Sequence, residues 1–506
     1  MSAKSLMVMG TASDVGKSIV VTALCRLFAR AGVRVAPFKS QNMSNNAAVC
    51  PGGGEIGRAQ AVQAEACGLE PTVDMNPVLL KPETETGCQV VIRGQARFHI
   101  RAHEHAHYRA EAWPEIVAGY RTLAEQFDLI VIEGAGGAAE INLRERDMVN
   151  WAIADLADAP VLVVADIDKG GVFASLVGTV ELLSPAERSR VRGFVINKFR
   201  GDLRLLDSGL RFLEERTGIP VLGVVPYLRE LRIPQEDAAT LDSAPTRSHE
   251  KPVTFGVVRV PRIANYTDFA PLELEPDVAV HYLSDPGSAS HLDVVCLPGS
   301  KSTVADLQWL RRAGWEDSLI RHVQSGGWVV GICGGYQMLG QSILDPQHVE
   351  STTTETIGLG LLEVITTFEQ EKITAQVAGN MLGSGLPVSG YEIHAGRVKR
   401  QESALPLLRL TMRNGHTLSE LEGAQSPDGQ VWGTSIHGVF DSASWRRQFL
   451  NRVRTKKGHA PLFATPAPDA LAHRLQEYDR FADVLEANTD FARIAALVGF
   501  EKNCGR

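Results

Sequence analysis

The chain has 506 residues, which corresponds to two or three domains of ordinary size. Its content of 44% hydrophobic and 22% charged residues is typical of globular proteins and argues against disordered and fibrous classes. The net charge of −8 argues against a nucleic-acid partner held by bulk electrostatics, and no apolar run reaches the roughly 18 residues of a membrane span. The apolar stretch near the N-terminus is too short for a secretory signal, and the seven cysteines show no C-x-x-C spacing. We therefore expect a cytoplasmic protein with reduced thiols.

Short apolar runs alternate with longer amphipathic segments in the first half of the chain. The runs lie at residues 6–9, 33–38, 129–133, 160–166, 193–197 and 221–226. Each is apolar on both faces, as expected for strands of a parallel sheet that is covered on both sides. Amphipathic segments such as 18–31 and 111–126 fit the crossover helices. We predict a doubly wound α/β domain over residues 1–233.

A glycine-containing loop at residues 10–18 joins the first predicted strand to the first helix. It reads Gly-Thr-Ala-Ser-Asp-Val-Gly-Lys-Ser, one residue longer than the usual G-x-x-x-x-G-K-[ST]. Backbone amides of such a loop and the following helix N-terminus bind phosphate. Lys17 would reach the terminal phosphates of ATP, and Ser18 would ligate Mg²⁺. The further nucleotide-binding residues predicted here are Thr11, Asp14 and Gly16.

Polar residues follow three other strands of this domain. Glu133 ends a buried strand and is a candidate Mg²⁺ ligand, with a solvated loop residue as the alternative. Asn197 follows a later strand and is a candidate contact to the purine, although asparagine is also common in turns. The amide-rich segment 39–46 contains Gln41 and Asn42, which are candidate substrate-binding residues unless the segment is a plain flexible loop.

A polar, proline-punctuated stretch at residues 234–252 has the composition of a linker. Strand-like runs then resume at 254–260, 294–297, 328–333, 358–366 and 431–436. They predict a second doubly wound, mostly parallel domain over residues 253–445. Residues 446–506 have a helical pattern and carry no recognisable chemistry, so we treat them as a C-terminal extension.

The second domain contains a strand–turn–helix pattern around one cysteine. Cys333 follows a buried strand and precedes two glycines, a geometry that exposes a nucleophile and favours a thiolate. The backbone N–H groups of Gly334 and Gly299 are candidate oxyanion donors. His437 ends a late strand and is the preferred proton-transfer partner. His394 competes for that role, but its polar turn favours a structural or substrate contact.

These motifs resemble those of known families. The long phosphate loop, Glu133 and Asn197 are similar to dethiobiotin synthetase-like ATPases, whereas the segments around Cys333 and His437 are similar to class I (triad) glutamine amidotransferases. Both occur in this order in the corrin amidases. Six segments resemble the cobyric acid synthases in particular. They lie at residues 38–43, 54–60, 140–143, 166–173, 197–202 and 390–394.

The resemblance implies a ligase that uses ATP, Mg²⁺ and glutamine in cobalamin biosynthesis. Its substrate would be a small corrinoid, adenosylcobyrinic acid a,c-diamide, amidated on the b, d, e and g carboxylates to give adenosylcobyric acid. The alternatives are a cobyrinic acid a,c-diamide synthase and a non-catalytic ATP-switch module. Triad amidotransferases usually place a glutamate two residues after the histidine, but Gly438 and Val439 follow here. The third triad member is therefore missing or comes from elsewhere. Dethiobiotin synthetases also carry an aspartate ligand after the second strand, which this chain lacks.

Overall fold

A computed structural model describes residues 3–83, 87–101, 105–228, 233, 251–463 and 469–501. Nearly all of the predicted linker at 234–252 lies outside these residues. Across the described part of the chain, no helix is both long and apolar enough to span a bilayer.

In the first half of the chain, the described residues form twelve strands and seven α-helices. The strands are β1 Lys4–Gly10, β2 Val35–Phe38, β3 Gln41–Met43, β4 Ala47–Val49, β5 Glu55–Gly57, β6 Val78–Pro82, β7 Gly87–Ile92, β8 Gln95–Arg101, β9 Leu129–Glu133, β10 Val161–Asp166, β11 Val191–Phe199 and β12 Val221–Pro226. The helices are α1 Lys17–Arg30, α2 Arg58–Ala66, α3 His105–Gln126, α4 Trp151–Leu156, α5 Val172–Glu181, α6 Pro185–Arg190 and α7 Asp207–Thr217.

Six of these strands form one parallel sheet in the order β12-β11-β10-β1-β9-β2. Its central strands are fully buried, which explains their continuous apolar sequences. All six predicted strands of this domain fall in this sheet, and the prediction of a doubly wound α/β domain is confirmed. The carboxyl ends of β1 and β9 lead into the phosphate loop and the glycines after Glu133, so both motifs meet at one edge of the sheet.

A second, smaller sheet was not predicted. Strands β3, β6, β7 and β8 form a four-stranded unit, and β4 pairs with β5 in a separate antiparallel ribbon. Both lie between β2 and α3 in the chain, and they form much of the surface that meets the second half of the molecule.

From residue 251 onward, the part of the chain that the structure describes contains fifteen strands and seven α-helices. The strands are β13 Val253–Val258, β14 Ile263–Ala264, β15 Val278–Leu283, β16 Val294–Leu297, β17 Gly299–Ser300, β18 Trp328–Ile332, β19 Ser342–Leu344, β20 Glu355–Ile357, β21 Val364–Met381, β22 Pro387–Arg400, β23 Leu408–Arg413, β24 His416–Glu422, β25 Ala424–Gln425, β26 Val431–Thr434 and β27 Ile436–His437. The helices are α8 Ala270–Glu273, α9 Thr303–Arg312, α10 Trp315–Gln324, α11 Gly334–Leu339, α12 Ala443–Lys456, α13 Ala470–Asn488 and α14 Phe491–Ala496.

The second domain also has a mostly parallel sheet, in the order β15-β13-β16-β18-β26-β25, in which only β25 is antiparallel. A largely antiparallel sheet built on the long hairpin β21–β22 packs beside it. The prediction of a strand at residues 358–366 is wrong for most of that range. Residues 358–363 are irregular, because their backbone turns around α11, with Leu359 and Leu361 bonding to the end of that helix.

The C-terminal helices divide between the two domains. Helix α12 packs into the core of the second domain through Trp445 and Phe449. Helices α13 and α14 return to the first domain, where Phe481 and Phe491 join the core beneath α1. The extension therefore completes one face of the first domain.

Candidate active sites

The phosphate loop has the predicted strand–loop–helix setting. Gly16 has a φ of 99°, in the left-handed region that glycine adopts freely, and a Cβ there would collide with the Asn197 amide. Asn197 Nδ2 donates to the carbonyl of Val15 at 2.9 Å, so this side chain braces the loop. Lys17 Nζ lies 2.9 Å from two backbone carbonyls, those of Ala12 and Gly136. The lysine is thereby held across the mouth of the loop.

Glu133 is the centre of a buried polar cluster beside the loop, rather than a solvated residue. Its Oε1 accepts from Ser18 Oγ at 2.7 Å and from Lys39 Nζ at 2.9 Å, and its Oε2 accepts from Gln63 Nε2 at 2.5 Å. Burial raises the pKa of this carboxyl group, but the Lys39 charge and these hydrogen bonds outweigh burial and leave the pKa below its usual value. Glu133 is therefore a buried carboxylate.

The same cluster offers a suitable environment for Mg²⁺. The Ser18 hydroxyl and the Glu133 carboxylate present hard oxygen donors 2.7 Å apart, next to the loop that would hold the phosphates. Lys39 supplies a positive charge at this carboxylate. A divalent cation is thus compatible with these residues.

Cys333 occupies a sharp turn between β18 and α11. Its φ of 50° and ψ of −110° are unusual for a residue with a side chain, and such strain is typical of functional turns. The turn packs so closely on β16 that a Cβ at Gly335 would collide with the carbonyl of Leu297. Gly299 lines the pocket of Cys333, and a Cβ at that glycine would lie 2.9 Å from His437 Cε1. A Cβ at Gly334 would lie 2.9 Å from the backbone nitrogen of Ser300.

His437 lies beside Cys333, and its other contacts reveal a third member that the sequence did not identify. Its Nδ1 lies 2.7 Å from Asp268 Oδ2, and both side chains are almost fully buried. Asp268 Oδ1 also accepts from the backbone N–H of Gly438 at 2.9 Å. Tyr391 stacks on the imidazole with ring centroids 5.1 Å apart. The third member therefore comes from a segment 169 residues upstream of His437.

The charges of this triad favour a reactive thiolate. Burial raises the pKa of the Cys333 thiol, but the charge and hydrogen bond of His437 outweigh burial, so the net pKa is lowered. Burial lowers the pKa of His437, but Asp268 and Cys333 outweigh burial and raise it to about 10. A thiolate–imidazolium pair is the arrangement that a cysteine nucleophile requires.

His394 lies in the same pocket as Cys333, but its partners differ from those of His437. Its Nδ1 lies 2.7 Å from the carbonyl of Gly396, and its Nε2 lies 3.5 Å from Glu392 Oε1. Burial lowers its pKa, yet Glu392 and the Cys333 charge raise it to a net value above the usual one. With both ring nitrogens engaged elsewhere, His394 suits a contact role better than that of the base.

The other two candidate substrate-binding residues, Gln41 and Asn42, lie in the first domain, whereas His394 lies in the second. Asn42 is buried and donates to Gln60 Oε1 at 2.9 Å, while Gln41 accepts from the hydroxyl of Tyr108. Both follow Lys39 closely in the chain, so they lie near the Glu133 cluster. The structure therefore separates the predicted residues into a phosphate-loop site and a cysteine site.

The cysteine pocket is lined by both domains. Lys81, Glu83 and Gln89 of the β6–β7 hairpin face it from the first domain. Glu83 Oε1 accepts from Lys301 Nζ at 2.7 Å, and Arg262 Nε donates to the carbonyl of Glu83 at 2.6 Å. The first domain thus helps to enclose the pocket of the second.

Sequence reasoning missed Asp268, Lys39, Gln63 and Glu83. None of these residues belongs to the same sequence motif as the residue it contacts. Each one reaches its partner only when segments that are distant in the sequence fold together. Lys39 could have been identified from its position, because it follows the second buried strand at the same sheet edge as Glu133.

Comparisons with known proteins agree with this two-part organisation. Residues 6–241 match the model of the CobQ/CobB/MinD/ParA nucleotide binding domain, and residues 254–445 match that of the CobB/CobQ-like glutamine amidotransferase domain. A cobyric acid synthase of Sorangium cellulosum is 49% identical, with 99% of this chain and all of that protein covered. Cobyric acid synthases of Dehalococcoides mccartyi and Syntrophobacter fumaroxidans are 48% and 45% identical, each with 98% of this chain and 99% of the relative covered.

Proposed function

Because the chain belongs to the cobyric acid synthase family, a group of glutamine-hydrolysing ligases of cobalamin biosynthesis, we propose its substrate and its chemical steps. It amidates the b, d, e and g carboxylates of adenosylcobyrinic acid a,c-diamide to give adenosylcobyric acid. The observation that carries this proposal is the docking of a Cys333–His437–Asp268 triad against a domain with a phosphate loop. One site can release ammonia and the other can activate a carboxylate.

Glutamine hydrolysis takes place at Cys333. The thiolate attacks the side-chain amide carbon, and the N–H groups of Gly299 and Gly334 stabilise the oxyanion. His437 gives its proton to the departing nitrogen, so ammonia leaves and a thioester remains. Asp268 stabilises the imidazolium before that transfer. A water molecule then hydrolyses the thioester to glutamate, with His437 taking the proton of the water.

Carboxylate activation takes place at the phosphate loop. The corrinoid carboxylate attacks the γ-phosphorus of ATP, and ADP leaves as an acyl phosphate forms. Lys17, with the loop amides, stabilises the charge that develops on the phosphates, and Asn197 supports the nucleotide side of the loop. Ser18 and Glu133 would hold Mg²⁺, which neutralises phosphate charge when bound. Ammonia then displaces phosphate to form the amide.

The corrinoid carboxylate needs a polar surface next to the γ-phosphate. Gln41 and Asn42 follow Lys39 at that edge of the sheet. The half-buried amide of Gln41 is suited to the propionamide and carboxylate groups of a corrinoid, and the buried Asn42 would hold this segment in place through Gln60. His394 contacts glutamine instead, because it shares the pocket of Cys333.

The test is to incubate the protein with the a,c-diamide, ATP, Mg²⁺ and glutamine and to follow the product mass. We expect successive gains of one amide up to four, and loss of the glutamine-dependent reaction in Cys333→Ser with the ammonia-dependent reaction intact. Consumption of cobyrinic acid in place of the a,c-diamide would favour the a,c-diamide synthase instead. Full glutamine use by Cys333→Ser would refute the nucleophile assignment.

A further inference from the structure

Two lysines share one buried carboxylate beside the cysteine pocket. Lys81 on β6 and Lys372 on β21 both donate to Glu55 on β5, whose side chain is 1% exposed. Lys372 Nζ lies 2.6 Å from Glu55 Oε2, and Lys81 Nζ contacts the other oxygen, Oε1. Lys372 belongs to the second domain, whereas Lys81 and Glu55 belong to the first. This lysine cluster, Lys81–Glu55–Lys372, therefore crosses from one domain to the other.

The lysine cluster has two ammonium groups for one carboxylate. Burial raises the pKa of Glu55, but Lys372 and Lys81 outweigh burial and lower it to about 2, so the carboxylate stays charged. Burial and the charges of Lys81 and Lys301 lower the pKa of Lys372 to about 8, although Glu55 opposes them. Lys372 is therefore still mostly protonated near neutral pH. An excess positive charge in a buried setting is costly until an anion balances it.

Both lysines of the cluster line the cavity that contains Cys333. An ammonium group has three N–H donors. Within the described part of the chain, each of these two groups makes one hydrogen bond, the one to Glu55. Each lysine therefore retains donors for a ligand, and one carboxylate can accept from both of them.

The other carboxyl groups of the pocket do not cancel this charge. Among the described residues that line it, these groups belong to Glu83 and Glu350. Glu83 is engaged at both oxygens, by Lys301 Nζ at 2.7 Å and by His99 Nδ1 at 2.7 Å. Glu350 accepts from the backbone N–H of Val304 at 3.0 Å, and burial raises its pKa to about 7, so it is only partly charged near neutral pH. The pocket thus favours an anionic group at the lysine cluster.

An irregularity in the β21–β22 ladder brings Lys372 to this position. Phe368 pairs with Gly396, but the next paired residue of β21 is Ile373, which lies opposite His394. Residues 369–372 therefore bulge out of the ladder, and such bulges commonly direct a side chain towards a neighbouring site. Lys372 consequently lines the same cavity as His394, the residue proposed to contact glutamine.

The size and the charge of the pocket fit an amino acid. Its cavity volume of about 100 Å³ suits a small molecule and is far too small for a corrinoid. The side-chain amide of glutamine has to reach Cys333, which leaves the α-carboxylate at the other end of the molecule. That α-carboxylate is the anion that would balance the lysine cluster.

We propose that Lys81 and Lys372 bind the α-carboxylate of glutamine, so that the first domain supplies part of the glutamine site. Glu55 holds the two ammonium groups side by side and reduces their mutual repulsion. The contact determines specificity, because an amide without an α-carboxylate leaves the excess charge unbalanced. This proposal rests on the proposed function, in which Cys333 hydrolyses glutamine.

The test compares the dissociation constants of three amides by ligand-detected NMR titration. The full-length chain carries Cys333→Ser, which prevents turnover. The amides are L-glutamine, γ-aminobutyramide, which lacks the α-carboxylate, and glutaramate, which lacks the α-amino group. We expect this parent chain to bind glutamine about 30-fold more tightly than γ-aminobutyramide, the effect of hydrogen bonds between charged groups. Addition of Lys372→Met should weaken the binding of glutamine and glutaramate about 30-fold and leave that of γ-aminobutyramide unchanged.

Lys81→Met is a second variant, on the first domain, and it should cause the same selective loss. Lys399→Met is the matched control, because Lys399 is an exposed lysine of the same β21–β22 hairpin and does not line the pocket. We expect the control to bind all three amides as the parent chain does.

Three results would overturn the proposal. They are an equal loss of all three amides in both lysine variants, which indicates a purely structural role, unchanged glutamine binding in either variant, and a parent chain that does not distinguish glutamine from γ-aminobutyramide. Binding is measured here without hydrolysis. Failure of the proposed function is therefore recorded separately, as a wild-type chain that releases no ammonia from glutamine.

Discussion

The imidazole of His437 is held at both ring nitrogens by residues of one short segment, Asn265 and Asp268. Asp268 fixes the proton on Nδ1, and the amide faces Nε2. A single turn after β14 therefore sets the tautomer, the orientation and the charge of the base. In the proposed function, this turn takes the place of the glutamate that triad amidotransferases have two residues after the histidine.

Replacing Asp268 by asparagine should make Cys333 less reactive near neutral pH. The asparagine oxygen can keep the Gly438 contact, but its NH₂ group would then face Nδ1 and reverse the tautomer. The pKa of Cys333 is lowered in the native chain, so its thiolate persists as the pH falls below the ordinary thiol range. The Asp268 charge itself raises the pKa of Cys333, but it also raises the pKa of His437, whose charge lowers that of Cys333 more strongly. Loss of the imidazolium should therefore move the inflection upward, with about tenfold slower alkylation at pH 7 for each pKa unit. The measurement is the pH profile of iodoacetamide alkylation.

Asp441→Asn controls for charge alone. Asp441 lies close to the triad in the chain and pairs with Arg474 at 3.6 Å, not with the imidazole. Its profile should stay close to that of the wild type. An unchanged profile in Asp268→Asn would contradict the assignment of Asp268 to the triad.

Functional residues within a local motif could be predicted from the sequence, whereas the residues that contact them could not. Lys17 and Cys333 stand in strand–turn–helix patterns in which the chain itself specifies the backbone. Asp268 lies in an unremarkable Asn-Tyr-Thr-Asp-Phe stretch, and it reaches His437 only through tertiary packing. No period or spacing encodes such a contact in a single sequence.

The same distinction holds for whole elements. Buried parallel strands such as β9 and β10 were predicted because both faces are apolar. Strands β3, β4 and β5 have three residues each, too few to show an alternating pattern. Yet β4 packs on β22 through Ala47, Val49 and Ile393, and so forms the contact between the two domains.

Helix α14 is the element whose loss should most clearly lower the stability of the first domain. Phe491 is 5% exposed, and its ring centroid lies 5.2 Å from that of Phe28 on α1, the helix that begins at the phosphate loop. Phe491→Ala should lower the free energy of unfolding of this domain by about 3 kcal/mol. Calorimetry of the full chain checks this value on the transition that ATP shifts upward.

Phe463→Ala is the comparison for that experiment. Phe463 is 88% exposed, so its removal should change stability by less than about 0.5 kcal/mol. Equal stability of the two variants would mean that α14 does not contribute to the core beneath α1.

At the scale of the whole molecule, glutamine hydrolysis and carboxylate activation share one chain in the proposed function and must be coordinated. In the proposed function, ammonia is useful only when an acyl phosphate is present to accept it, and free hydrolysis would waste glutamine. Residues 39–47 run from the Glu133 cluster to the docking surface, and Glu83 of the first domain encloses the cysteine pocket. The connection between the sites is therefore built from the first domain's own polypeptide.

A lysine variant should separate the two chemistries. Lys17 Nζ is held across the phosphate loop by two carbonyls, so Lys17→Ala removes the charge without opening the hydrophobic core. We expect loss of amidation by about 100-fold or more with either glutamine or ammonia, because both routes need the acyl phosphate. Glutamate formation should continue, because Lys17 does not line the pocket of Cys333 and His437. The exposed Lys4, at the opposite end of β1, supplies the control Lys4→Ala, which should retain both reactions. Ammonia-dependent amidation at the wild-type rate in Lys17→Ala would place carboxylate activation outside the phosphate loop.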